Sequence, residues 1–456
     1  MADAIPVERP DAPDPDIAPP ARSRWFAVSL VAVTVAGLAL RVAYVWFSRR
    51  HAVFGGDPLY YHSGAELLAR GDGFINPYAY VGHRTVQAAD HPPLYLMYLA
   101  VFSLFGMTSI TWHLLASALL GTASIVVAGL VGREVAGPRA GIVAAVVVAF
   151  YPNTWRYDGM LLSETMVIFV VLVTLWVAYR YWHRPSIGRL AVVGLAVGLG
   201  TLARSELILL TIFLILPLAL LVQDRSWGER LRLLAIGALG FLAVVGPWVV
   251  FNLVRFDHTV VLSENLGGTL ATSNCDEVYY GDKLGFWHYP CGDQILANHG
   301  IGPYEFKGAS DRYLRQDAIA YIRSHASRVP VVIAARVGRI TGVFRPRQQA
   351  SFDIYLENFP KWVSDLGLWT YYPMVVGAVI GGVILRRRRE AVFPLLAAIF
   401  TVLATCALFY AATRFRATAE PALCLLAAVA LDAAIGAVVR RRQADPVPTG
   451  MSAVPA

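Results

Sequence analysis

Ten apolar runs separated by short clusters of arginine constrain this chain more than any other feature. They fall at about 25–47, 110–132, 137–152, 160–179, 188–203, 206–222, 233–254, 368–385, 391–411 and 418–439. A helix needs about 20 apolar residues to cross a bilayer core, and most of these runs approach that length. Composition agrees: 57% of the 456 residues are hydrophobic and only 15% are charged, where soluble chains carry about 25% charge. The expected fold is an all-α polytopic membrane protein, a bundle of about ten transmembrane helices with two large extracytoplasmic loops.

Orientation follows from the basic residues. With the N-terminus in the cytoplasm, every cluster falls on one side: Arg22 and Arg24, Arg133 and Arg139, Arg180 to Arg189, Arg225 to Arg232, Arg386 to Arg389, and Arg440 to Arg442. This is the positive-inside pattern. The net charge of +8 therefore reads as topology and not as a nucleic-acid surface. A plasma (inner) membrane protein results, with both termini cytoplasmic. Residues 1–22, rich in proline, and 443–456 are expected to be cytoplasmic tails flanking a membrane domain at 23–442. The first run is too long for a signal-peptide core and is expected to remain as an anchor.

Two polar excursions, 48–109 and 255–367, then lie outside. The run "HPPLYLMYLAVFSLFG" (91–106) could span, but counting it would invert every later arginine cluster, so it is expected to lie in the outer interface. "VPVVIAARVGRITGVF" (329–344), with Arg336 and Arg339 three apart, is read the same way. Trp46, Trp112, Trp155, Trp248 and Trp369 fall near helix ends, where indole rings favour the interface.

Polar residues gather at the outer ends of the helices. "GGDPLYYHSGAELLARG" reads as a capped helix: Gly55 and Gly56 turn the chain, Asp57 can cap, Pro58 starts the helix and Gly71 ends it. Tyr61, Ala65 and Leu68 would share one face of it. Asp90 and His91 precede two prolines and suit proton transfer or a metal. Glu164 follows Asp158 and Ser163 inside an apolar run, where an ionised acid needs a polar partner. Arg204, Arg414 and Arg416 sit on the outer side against the charge trend, and a guanidinium fork suits phosphate. Cys275 and Cys291 share one outer loop, and a bridge between them would contribute roughly 3 kcal/mol by limiting the unfolded chain. Tyr and Trp between Asn274 and Gly292 could stack on a flat ligand or simply pack.

The stretches "GGDPLYYHSGAELLARGDGF", "HPPLYLMYLAVFSLFG", "YPNTWRYDGMLLSETM", "GLGTLARSEL" and "TRFRATAEPALCLLAA" occur in an order that resembles the GT-C lipid-linked-sugar glycosyltransferases. The similarity is to glycosyltransferase family 39, which includes protein O-mannosyltransferases and bacterial aminoarabinose transferases. It implies a polyprenyl-phosphate sugar donor used at the outer face of the cell membrane, and a glycan, lipid or protein acceptor of the cell envelope. It further implies that Asp57 is the catalytic acid of the first outer loop and that Glu164, or less closely Asp158, matches the second. Protein mannosyltransferases have Asp-Glu where this chain has Asp57-Pro58. On this reading the transfer is a single inverting displacement. Tyr61, Asp90, His91, Asp158, Arg204, Arg414 and Arg416 would bind substrate, and a divalent metal could replace part of the arginine charge. The absence of a glycine-rich nucleotide loop fits a lipid donor. A secondary transporter, or a non-catalytic partner of envelope assembly, would use the same number of helices.

Overall fold

The computed structural model describes residues 22–222, 225–302 and 307–444. Apart from Arg22, Gln443 and Ala444, both expected tails lie outside the described residues. The described chain is helical, and its only β pairing is a single bridge between Ile75 and Gln87.

Each of the ten expected spans coincides with helical structure. Among the described residues, six helices are long and apolar enough to cross a membrane: Arg24–Arg49, Ile110–Ala136, Glu164–His183, Trp227–Arg255, Lys361–Arg387 and Glu420–Gln443. The others, Pro138–Phe150, Ile187–Ala203, Ser205–Leu220 and Phe393–Leu408, are shorter than a full crossing. They hold their place by packing. Ile187–Ala203 lies on Trp227–Arg255, and Lys361–Arg387 lies on Glu420–Ala444. These contacts need small residues. A Cβ on Gly194 would strike the backbone of Gly237, and one on Gly381 would strike the carbonyl of Leu426. Close backbone approach of this kind drives helix association where lipid offers no hydrophobic gain.

The segments between the spans cap the bundle. Asp57–Arg70 packs on Leu94–Leu104. The latter has 11 residues, about 16 Å of helix at 1.5 Å per residue, and so cannot span. Tyr61 and Ala65 are buried and Leu68 is partly buried, as the helical spacing requires. Val329–Ile340 is also too short to span, but its arginines do not face the interface. Both are buried: Arg336 donates to the carbonyls of Ala407 (3.1 Å) and Ser273 (2.6 Å), and Arg339 donates to that of Leu284 (2.6 Å). The tryptophans divide similarly. Trp46, Trp112 and Trp369 are exposed, while Trp155 packs on Tyr44 and Trp248 donates to Leu262 inside the protein. Neighbouring rings and carbonyls offer those two a better site than the interface.

Cys275 and Cys291 are bonded, and Cys406 and Cys424 are buried and free. The bridge holds the start of the Tyr289–Asn298 helix close to the end of Leu266–Ser273.

Candidate active site

The first outer helix delivers Asp57 through an unusual backbone. Gly56 has φ 58° and ψ −143°, a conformation that side chains rarely tolerate. Helix therefore begins at Asp57, which cannot cap its own first turn. Gly56 is the N-cap position and no side chain caps there, in contrast to the capping role expected for Asp57. The carboxylate instead reaches across the molecule. Its Oδ2 accepts from Arg414 Nη2 at 2.8 Å, and its Oδ1 lies 3.3 Å from His91 Nε2.

Arg414 is the hub. It is presented by a short 3₁₀ segment, Thr413–Thr418, between two apolar helices. Besides Asp57, its Nη1 donates to Glu357 Oε2 at 3.3 Å and its Nε lies 3.6 Å from Glu164 Oε1. Glu164, fully buried, also pairs with Arg204, which contacts Glu206 and stacks its guanidinium over Phe415 at 4.7 Å. His91 stacks on Tyr61 with ring centroids 5.0 Å apart. Residues from six separate stretches of chain thus meet in one charge network.

The network borders a cavity of about 460 Å³ between the two outer excursions. Asp57, Glu357 and Arg414 line it, and Trp287, Tyr289 and Tyr410 supply aromatic wall. Asn358, with φ 58°, donates from Nδ2 to Val53 O at 2.8 Å and ties the second excursion to the Gly55–Gly56 turn. Burial raises the Asp57 carboxyl, but Arg414 and then His91 outweigh it and hold the group well below the usual range. Glu357 moves the other way. Burial pushes it above its ordinary value, because Arg414 is shared with Asp57 and Glu164.

Two expected site residues are not brought here. Asp158 is fully buried with its Oδ2 2.8 Å from Arg41 Nε, and it accepts from Thr165 Oγ1 at 3.0 Å. Arg416 donates to Glu420 Oε1 at 3.0 Å, stacks 3.7 Å over Tyr371 and faces a different, smaller cavity. Its position two residues after Arg414 on a 3₁₀ turn sends it to the opposite side. Asp90 is buried immediately before His91. Glu357, Glu206 and Tyr410 are the additions that the sequence did not single out.

The acids that converge do so on a guanidinium, and among the described residues no three His, Cys, Asp or Glu side chains are set to hold an ion.

Comparison with known proteins gives the following. Residues 90–251 match the family described as dolichyl-phosphate-mannose-protein mannosyltransferase. Among solved structures, the chain is similar to the oligosaccharyltransferase AglB of Archaeoglobus fulgidus in complex with an inhibitory peptide and a dolichol-phosphate. The TM-score is 0.55 at 16% identity, covering 95% of this chain and 53% of that one. The Archaeoglobus fulgidus oligosaccharyltransferase with zinc and sulfate gives a TM-score of 0.52 at 15% identity, covering 91% and 50%. ArnT of Cupriavidus metallidurans bound to undecaprenyl phosphate covers 94% of this chain and 82% of its own at 18% identity; its TM-score of 0.45 is too low to argue from. No curated protein matches the sequence. The chain spans about half the length of the oligosaccharyltransferases it resembles. It is a multi-pass membrane protein with the GT-C fold, and over residues 90–251 it carries the sequence signature of the dolichyl-phosphate-mannose-protein mannosyltransferase family.

Proposed function

We propose that this protein is a glycosyltransferase that moves a sugar from a polyprenyl-phosphate donor to an acceptor hydroxyl of the cell envelope, at the outer face of the plasma membrane. The observation that carries the reading is the Asp57–Arg414 contact on the cavity wall, an ionised carboxylate beside a guanidinium at the rim of an otherwise apolar bundle.

The chemistry needs little more. Asp57, kept ionised by Arg414 and His91, accepts the proton of the acceptor hydroxyl. The acceptor oxygen attacks the anomeric carbon as the bond to the phosphate oxygen breaks, and that electron pair leaves with the polyprenyl phosphate. One displacement inverts the configuration. Arg414 neutralises the departing phosphate, which competes with Glu164 and Glu357 for the guanidinium. Because carboxylates outnumber arginines in the network, the phosphate is held only while Arg414 turns towards it. Trp287, Tyr289 and Tyr410 offer flat apolar surface to a sugar ring, and Glu264, Asp293 and Asp311 on the same wall can accept from hydroxyls. The likeness to a protein solved with dolichol-phosphate supports the donor class.

The experiment is to offer the purified protein a panel of polyprenyl-phosphate sugars and to follow release of polyprenyl phosphate, with and without chelator. Turnover of at least one donor, insensitive to chelator and lost in Asp57→Asn, is the expected result. Inertness towards the whole panel, or full activity in Asp57→Asn, overturns the reading and favours transport or a non-catalytic role.

A further inference from the structure

The face of the Thr413–Thr418 segment turned away from Arg414 has no part in that reaction, yet it borders a second chamber. This small space, about 20 Å³, is lined by Asn153, Arg156, Arg339, Gln349, Asp353 and Arg416, all buried. Three guanidinium groups inside a protein require compensation. Arg156 has Asp353 at 3.0 Å, and Arg416 has Glu420 at 3.0 Å. Arg339 has no such partner among the described residues. It donates only to neutral acceptors: the carbonyls of Leu284 and Asp282 and the amide oxygens of Gln348 and Gln349. Arginine does not shed its proton to escape burial. The chamber therefore holds one positive charge in excess.

Its unmet hydrogen bonding leans the same way. Arg156 Nε, Gln349 Nε2 and Ser364 Oγ are buried without a partner, against one unpartnered acceptor, Asn153 Oδ1, and Ser364 also lines the chamber. Orphaned donors are costly in a folded interior. The occupant they call for accepts several hydrogen bonds and carries negative charge. Size narrows the choice. A single water needs about 10–15 Å³ measured in this way, so a space of about 20 Å³ suits one monatomic ion better than a phosphate ester or a sugar.

We propose that this chamber is a binding site for one halide-sized anion, chloride in ordinary media, held by Arg339, Arg156 and Arg416. Arg416 and Arg414 belong to the same short segment, so the anion fixes from behind the turn that presents Arg414 to the large cavity. The site is independent of any reaction at that cavity.

The test uses the full-length protein purified in gluconate at constant ionic strength, titrated with chloride or bromide while the melting temperature is followed. The expected result is a saturable rise of a few degrees given by both halides and not by added gluconate. Crystals grown in bromide should show an anomalous peak in the chamber against the three arginines. Arg339→Gln should weaken the apparent bromide affinity roughly tenfold or more, and Gln349→Leu, which keeps all the charges, should weaken it less. A melting temperature indifferent to halide, or a bromide-free chamber holding a water only, overturns the proposal; the wild-type measurements decide it even if Arg339→Gln fails to fold.

Discussion

Two aspartate–arginine pairs in this protein each have a closest approach of 2.8 Å, and they do different things. In Arg41–Asp158 the side chains are 1% and 0% exposed; in Arg414–Asp57 they are 15% and 30% exposed. Arg41 also donates to the carbonyls of Ala149 and Val148, and Gly121 leaves just enough room for the Asp158 carboxylate. Every neighbour fixes that pair in place. Around Arg414, by contrast, three carboxylates share one guanidinium beside an open cavity. An ion pair walled in by its own helices is a fastener. One whose partners can be exchanged for substrate is a reagent.

The contrast can be broken or sharpened by substitution. The largest effect expected is on turnover: Asp57→Asn should lower it by about 10²–10⁴-fold, the usual worth of a general base, with only a small fall in melting temperature at neutral pH. Asp158→Asn should do the reverse. Leaving Arg41 buried without its partner should cost about 3–5 kcal/mol, read as a lower melting temperature and poorer yield, while the folded fraction keeps its specific activity. If both variants lose activity at unchanged stability, the distinction between fastener and reagent fails. Gly121→Ala should be milder, about 1–3 kcal/mol, because its methyl group runs into the Asp158 carboxylate.

The smallest effect expected is a pH dependence with opposite signs at one arginine. Asp57 lies below its ordinary value of 3.8, so its ionisation stabilises the fold above that value and the benefit is lost as pH falls through the depressed one. Glu357 lies above 4.5. Its contribution is present at low pH and is lost as pH rises through the raised value. Melting curves across pH should show Asp57→Asn less stable than the wild type at neutral pH, and Glu357→Gln more stable, with both gaps closing in acid. Parallel behaviour of the two variants would refute the shared-arginine picture.

Much of this was legible in the sequence because a membrane makes polar residues conspicuous. Glu164, Arg204 and Arg414 stand out against apolar runs, and Asp57 follows two glycines that signal a special turn. The helices could be placed for the same reason, although short ones such as Pro138–Phe150 depend on neighbours that the periodicity does not reveal. Glu357 was invisible. It lies in a polar loop where acids are ordinary, and only folding brings it to Arg414, 57 residues on. Asp158 and Arg416 sit apart from that network for the converse reason. Each is a charge in the right stretch, and their partners, Arg41 and Glu420, lie within apolar helices. Residue type identifies a charge that needs company, but the fold decides which.

The Cys275–Cys291 bond encloses the stretch carrying Trp287, and Tyr289 sits just before its second cysteine. Part of the large cavity's wall is thus stitched by electron withdrawal from two thiols. A chain finished where thiols stay reduced would have its full set of helices and its Asp57–Arg414 contact, yet its aromatic panel would hang on a slack tether. Under the proposed function, such a preparation should bind its sugar loosely and recover on mild oxidation.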